Sequence, residues 1–193
     1  RCIGAKFTIS SIEKKEGTRT PAAPFTTSTL QQEAARKLRL SVSQTMSIAQ
    51  RLYESGLITY MRTDSTNLSS LAINTAKQYI NNNFGEAYSQ VRQYRTKAKG
   101  AQEAHEAIRP TYIENTSIEG TPQEKKLYEL IWKRTVASQM ADARILRTDI
   151  KVSSDKGEEK FNVQASQVLF DGFLKLYIEG SDEPAQDDEM TIL

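Results

Sequence analysis

Apolar residues at helical spacing predict four helices along the chain. The first helix is predicted to begin at residue 28 or 29, and the other three are predicted to cover 43–54, 69–83 and 121–143. The first begins where a hydroxyl residue stands three positions before a glutamine, which is the spacing of a capping box. The last begins at Thr121, which is followed by Pro122 at the first helical position. These signals predict a protein with substantial helix content.

Alternating and extended patterns predict the remaining elements. Strands are predicted over 3–12, 145–152, 160–169 and 173–178. Residues 155–157 are typical of a turn, and 13–24 of a proline-containing connector. An extended segment is predicted at 57–62 and a short helix at 101–108. The helices near 30–38 and 43–54 are joined by a tight turn and followed by this extended segment. The three elements together resemble a helix-turn-helix motif with a wing.

Charge is distributed unevenly over the 193 residues. The net charge is +2, but residues 1–112 hold 16 basic and 8 acidic side chains, whereas 113–193 hold 10 and 16. A basic first part suggests a polyanion partner, but charge alone favours an ordinary solvated surface, and the asymmetry becomes informative only if chemistry also lies in the basic part. The single cysteine, Cys2, excludes a disulfide framework and a cysteine-based zinc site, and fits a reducing compartment. No apolar run is long enough to span a membrane.

Tyr60 and Arg62 are the first candidates for chemistry. On an extended segment, residues two positions apart lie on the same face, so a phenol and a guanidinium are brought together. A phenol can attack a phosphodiester, and a guanidinium can hold the two free phosphate oxygens. Arg62 cannot take the phenol proton, because it does not act as a base. A packed tyrosine beside a surface arginine is the alternative interpretation.

Other polar residues carry weaker signals. His105 is the single histidine and could hydrogen-bond a phosphate, or it could be an exposed residue at a helix end. Asp64 begins a run of small polar residues that also fits a simple turn. The sequence shows no phosphate-binding glycine loop, no dinucleotide fingerprint and no acidic triad for a metal ion.

Three motifs together resemble the central part of type IA DNA topoisomerases, in the bacterial topoisomerase I branch. They are Pro24–Gln32, Gly56–Ser65 and His105–Thr111, in the order that the family has. Met61 between the tyrosine and the arginine is typical of the topoisomerase I branch, since topoisomerase III relatives usually carry proline there. The resemblance covers essentially the whole chain, which opens at Arg1 as if cut from a longer protein.

The resemblance implies an α+β fold. A helical, winged-helix-like domain that carries the tyrosine is expected over 25–112, inserted into a β-rich hinge domain of the toroidal enzyme's arch. The hinge domain is expected to consist of 1–24 and 113–193, the latter with the long helix, the strands and an acidic tail. The missing TOPRIM domain and the other domains of the same chain are the expected partners.

The resemblance also implies roles for particular residues. Tyr60 matches the nucleophile that becomes linked to a 5′ phosphate, and Arg62 matches the residue that stabilises the phosphate. DNA contacts are expected from Thr63, Asp64, Ser65, His105 and Arg109. The implied reaction is an ATP-independent relaxation of negative supercoils in single-stranded or underwound DNA, by a monomeric, cytoplasmic, nucleoid-associated enzyme. Mg²⁺ is expected in the TOPRIM domain and not in this chain, which alone is expected to be inactive.

Two other functions fit parts of the sequence. A helix-turn-helix module without chemistry would bind DNA through the second helix, with Gln44, Gln50 and Arg51 as contacts, and would not need Tyr60. A protein-interaction scaffold is favoured only by the acidic second part. The effect of removing the Tyr60 hydroxyl separates these hypotheses from the enzyme.

Overall fold

A computed structural model describes residues 3–94, 105–156 and 160–178. The described residues form a mixed α/β structure with four α-helices and one three-stranded antiparallel sheet. They divide into two compact units. The first contains 3–19 and the described part of 142–171, and the second contains the described part of 20–141 and of 172–186. The domain boundaries expected at 24 and 112 stay a prediction.

The first unit is the antiparallel sheet. Its strands are β1 (Phe7–Arg19), β2 (Ala143–Ser154) and β3 (Lys160–Phe170), with β2 in the centre. The pairing of β2 with β3 confirms the predicted hairpin. The register shifts between Ile9 and Ser11, so that Ser10 forms a bulge in β1.

β1 is longer than its sequence pattern predicts. Residues 13–19, predicted to be a connector, continue the strand and pair with β2 as far as the Arg19–Ala143 pair. Most of these residues are exposed, so they lack the apolar alternation that marks a half-buried strand. The pairing with a distant strand, rather than local pattern, determines this part of the fold.

The second unit contains the helices. They are α1 (Thr27–Leu38), α2 (Val42–Glu54), α3 (Ser70–Asn83) and α4 (Pro122–Ser138). The predictions for α2 and α3 are confirmed to within one residue. α1 begins earlier than predicted, because Thr26 is the N-cap and forms a capping box with Thr29.

α4 is the most buried helix of the second unit. Leu127 and Ile131 have no exposed surface, and the Trp132 indole N–H donates to the backbone carbonyl of Ile113 at 2.7 Å. Burial raises the pKa of Tyr128, whose hydroxyl donates to a backbone carbonyl, to about 12. The helix ends five residues before the predicted end near Ala143, because the chain then turns and enters β2.

A buried polar network joins α1, α4 and the segment 172–178. Arg134 is 5% exposed and donates from Nε to the carbonyl of Ala23 at 2.6 Å and from Nη1 to the hydroxyl of Tyr177 at 3.3 Å. The Tyr177 hydroxyl donates to the buried carboxylate of Glu33 at 2.8 Å. Arg134 also lies 4.8 Å from the centre of the Phe25 ring. Burial raises the pKa of Tyr177 well above its usual value.

Three further predictions about local structure are wrong. Residues 173–178 form no strand: a short 3₁₀ turn covers Gly172–Lys175, and Phe173 and Tyr177 are buried. Residues 105–108 are not helical, and the rest of the short helix predicted at 101–108 lies outside the described residues. Residues 57–62 form no regular strand and pair only through an isolated bridge at Ile58. Each of these segments is shaped by distant contacts instead of local periodicity.

Candidate active site

Three segments that are far apart in the sequence meet around residues 57–63. Ile58 pairs with Pro110 in an isolated antiparallel bridge, and Phe25 pairs in the same way with Ile108. The Thr59 N–H donates to the carbonyl of Arg109 at 2.9 Å. These pairings bring the three motifs of the sequence into one place, although 72 residues separate the first motif from the last.

Tyr60 and Arg62 are exposed on either side of a buried residue. The Tyr60 side chain is 45% exposed and Arg62 is also exposed, whereas Met61 between them is 1% exposed. Within the described ranges, no acidic side chain pairs with the Arg62 guanidinium. The buried Met61 therefore anchors a short segment on which a phenol and a guanidinium are both exposed, and their placement on one face stays a prediction.

The Tyr60 ring packs against a second tyrosine. The ring of Tyr53, near the end of α2, lies 5.2 Å from that of Tyr60, centre to centre, with an angle of 67° between the planes. Edge-to-face packing of this kind is a favourable aromatic geometry. It restrains the phenol ring while the ring stays partly open to solvent.

The three residues after Arg62 divide into inward and outward side chains. Thr63 and Ser65 are 8% and 2% exposed, and the Ser65 N–H donates to the Thr63 hydroxyl at 3.0 Å. Asp64 between them is exposed. Of the three expected DNA contacts in this stretch, Asp64 is the one whose side chain faces solvent, and all three stay predictions.

His105 and Arg109 have different surroundings. His105 is exposed. The Arg109 guanidinium is held by Glu106, with Nη2 2.7 Å and Nε 3.2 Å from Oε2. The other carboxylate oxygen of Glu106 accepts the N–H of Ser69, the N-cap of α3, at 2.6 Å. Glu106 thus links Arg109 to the N-terminus of α3. The contact of Arg109 with DNA stays a prediction.

Glu106 is expected to make stability depend on pH. Burial alone would raise its pKa, but hydrogen bonds from Arg109 and Ser69 outweigh burial and lower the pKa below its usual 4.5. The ionised carboxylate therefore stabilises the fold above that value, and this contribution is lost as pH falls through the lower folded pKa. Glu106→Gln should cost about 1–2 kcal/mol at neutral pH, measured by urea unfolding.

The loss caused by Glu106→Gln should shrink as the pH falls below 4.5, because the unfolded chain then binds a proton at Glu106 more readily than the folded chain does. Glu114→Gln, at an exposed position, is the matched control and should change stability little at any pH. An equal loss from Glu106→Gln at pH 7 and pH 3 would contradict the role given to the ionised carboxylate.

Comparison with known proteins identifies the family. A family model described as DNA topoisomerase matches residues 1–192. The chain belongs to this family. Its relatives indicate the prokaryotic topoisomerase 1 branch: it is 53% identical to DNA topoisomerase 1 of Mycolicibacterium smegmatis, over 94% of this chain and 20% of that protein. It is 47% identical to a prokaryotic-type DNA topoisomerase 1 of Acanthamoeba polyphaga mimivirus, over 99% and 24%.

A solved relative supports the same assignment for this topoisomerase chain. Full-length topoisomerase I from Thermotoga maritima matches with a TM-score of 0.76 and 38% identity, over 93% of this chain and 31% of the Thermotoga chain. The chain thus spans about a fifth to a third of the relatives named here.

The described residues do not provide a metal site. No group of three His, Cys, Asp or Glu side chains lies close enough together to hold an ion within 3–94, 105–156 and 160–178. The described part of the chain therefore shows no cluster of side chains that would fit a Mg²⁺ ion. In the same ranges, no helix is long and apolar enough to cross a bilayer.

Sequence reasoning missed the residues that hold the Tyr60 segment. Thr59 accepts the Arg109 N–H at 2.9 Å and donates to the Ala107 carbonyl at 2.7 Å. Thr27 contacts the backbone on both sides of Arg62. One signal was present: the run 26–29 has four consecutive hydroxyl residues, whereas the capping box uses only two of them.

Proposed function

We propose that this chain carries the nucleophile of a type IA DNA topoisomerase. The observation that carries the proposal is the exposed pair Tyr60 and Arg62, anchored by the buried Met61 in a chain that belongs to the topoisomerase family. A phenol beside a guanidinium with no acidic partner in the described residues suits attack on a phosphodiester. Single-stranded or underwound DNA is the proposed substrate.

The proposed step is a transesterification. The Tyr60 hydroxyl oxygen attacks phosphorus and forms a phosphotyrosine bond, while the bond between phosphorus and the 3′ oxygen breaks. The phenol loses its proton and the leaving 3′ oxygen gains one. Arg62 stabilises the charge on the two non-bridging oxygens. Reversal of the same step reseals the strand, and because the phosphodiester energy is kept, no ATP is required.

The remaining parts of the reaction are assigned to the rest of a longer protein. The relatives named above are three to five times as long as this chain. We assign Mg²⁺ and strand passage to those other domains, and the winged-helix-like and hinge regions of the arch to this chain. On this basis the 193-residue chain alone is inactive, and the whole enzyme acts as a monomer on cytoplasmic, nucleoid DNA.

A covalent adduct tests the proposal. The full-length protein is incubated with a single-stranded oligonucleotide and Mg²⁺, denatured and separated. A 5′-phosphotyrosine link keeps a 3′-end label on the protein and releases a 5′-end label. Peptide mapping should then place the adduct on Tyr60. The proposal fails if no adduct forms, if the 5′ label is the one retained, or if the adduct lies on another tyrosine.

The helix-turn-helix module without chemistry is less well supported. Its three expected contacts on α2 are engaged within the chain: Gln44 completes the capping box of its own helix, and Gln50 donates to Glu54 at 2.6 Å. Arg51 donates to Glu124 at 2.6 Å, and this hydrogen bond is the main reason that the pKa of Glu124 falls to about 2. DNA readout by this face would first require these contacts to break.

A further inference from the structure

The backbone on both sides of Arg62 is held by one side chain from another segment. The Thr27 hydroxyl donates to the carbonyl of Met61 at 2.8 Å and accepts the N–H of Thr63 at 2.9 Å. The Thr63 carbonyl lies 3.1 Å from the same hydroxyl and accepts the Thr27 N–H at 2.9 Å. The residue before Arg62 and the residue after it are thus both tied to Thr27.

The Thr27 hydroxyl is available for these contacts because it takes no part in capping α1. Thr26 is the N-cap of α1, and Thr29 completes the capping box. Thr27 stands at the first helical position, so its hydroxyl is not required by the cap. The helix itself is anchored, since Phe25 and Leu30 on either side have no exposed surface.

Arg62 differs from its two neighbours in the exposure of its side chain. Met61 and Thr63 are 1% and 8% exposed, so their positions are set by packing and by Thr27. The Arg62 side chain is exposed, and the described residues offer it no acidic partner. The direction in which the guanidinium leaves the backbone is therefore set by the backbone of 61–63, and that backbone is set by Thr27.

From this geometry we infer that Thr27 is a positioning residue for Arg62 in strand cleavage. The inference rests on the proposed function and adds to it a residue whose hydroxyl is bonded to the backbone on both sides of Arg62. Because catalysis depends steeply on placement, a shift of about 1 Å in a reacting group can cost about a hundredfold in rate. Loss of the Thr27 hydroxyl should therefore slow cleavage while the Tyr60 hydroxyl is intact.

The experiment measures single-turnover cleavage of a saturating single-stranded oligonucleotide by the full-length protein. Thr27→Val keeps the shape of threonine without the hydroxyl and should slow cleavage about 10- to 100-fold. Thr27→Ser keeps the hydroxyl and should stay within about threefold of wild type. Thr75→Val, on α3, removes a helix hydroxyl bonded to the Leu71 carbonyl and should leave the rate unchanged. Thr27→Ala replaces Thr27→Val in these comparisons if the valine variant does not fold.

A double-mutant cycle separates positioning from general damage. If Thr27 acts through Arg62, then Thr27→Val should cost at most about twofold more in a protein that already carries Arg62→Ala. Independent, multiplying losses would overturn the inference, and so would a serine variant as slow as the valine variant. If Thr27→Val cleaves at the normal rate and Tyr60→Phe forms no adduct, the inference about Thr27 is overturned and the proposed function stands. An adduct from Tyr60→Phe would overturn the proposed function.

Discussion

Tyr60→Phe is expected to abolish strand cleavage by the full-length protein, with a loss of at least about a thousandfold. The variant lacks only the oxygen that forms the phosphotyrosine bond. The ring can still pack edge-to-face on Tyr53, and Met61 still anchors the segment. The fold and the affinity for single-stranded DNA should therefore change little. Adduct formation and relaxation of supercoiled plasmid are the measurements.

Tyr112→Phe is the matched control for this prediction. Tyr112 is 64% exposed and follows directly on the third motif, so its substitution removes an exposed phenol without removing the proposed nucleophile. It should cleave and relax DNA as wild type does. Relaxation by Tyr60→Phe at a rate comparable to wild type would show that the nucleophile lies elsewhere, and loss of activity in both variants would point to a general effect of altering this surface.

Arg134→Met is expected to be the most destabilising of the substitutions discussed. It removes the hydrogen bonds to Ala23 and Tyr177 and the contact with the Phe25 ring, and it leaves the buried Glu33 carboxylate with less positive charge nearby. Removing one member of a buried charged network costs about 3–5 kcal/mol. Urea unfolding of the chain, followed by circular dichroism, measures the loss.

Lys133→Met provides the comparison on the same helix. Lys133 pairs with Glu129 one turn earlier, at 2.7 Å, but both side chains are substantially exposed. Exposed pairs of this kind contribute about 0.5 kcal/mol or less. If the two substitutions cost the same, the buried network around Arg134 is not the source of stability that its geometry indicates.

Local signals were sufficient to predict several elements of the fold. α2 and α3 carry apolar residues at helical spacing, and α4 begins with a threonine, a proline and a glutamate in the capping pattern. The β2–β3 hairpin is marked by two apolar strands around a turn. These features depend on neighbouring residues only, so the sequence contains all the information that they need.

Elements shaped by distant partners could not be predicted in this way. The second half of β1 is exposed and is a strand because β2 pairs with it. Residues 173–178 look extended in the sequence, but the hydroxyl of Tyr177 is held by Glu33, which lies 144 residues away along the chain. Residues 13–19 are polar and 173–178 are largely apolar, but neither pattern is restricted to one local structure, and tertiary contacts decide between the possibilities.

The candidate site also contains residues that local sequence reveals and residues that it does not. Tyr60 and Arg62 could be named from their two-residue spacing and their motif, and the structure exposes both. The supporting contacts of Thr27 and Thr59 join segments more than 30 residues apart, so no local pattern reveals them. A threonine that supports a distant backbone has the same local signature as one that caps a helix.

The position of Thr27 in the first turn of α1 links the site to helix fraying. Helix ends open locally more often than whole domains unfold. Each time this turn opens, the amide of Thr63 loses its acceptor and becomes available for exchange with solvent deuterium. The strength of the Thr26 cap thus determines how often the segment around Arg62 is released. Exchange of the Thr63 amide with deuterium therefore reports how often this turn opens.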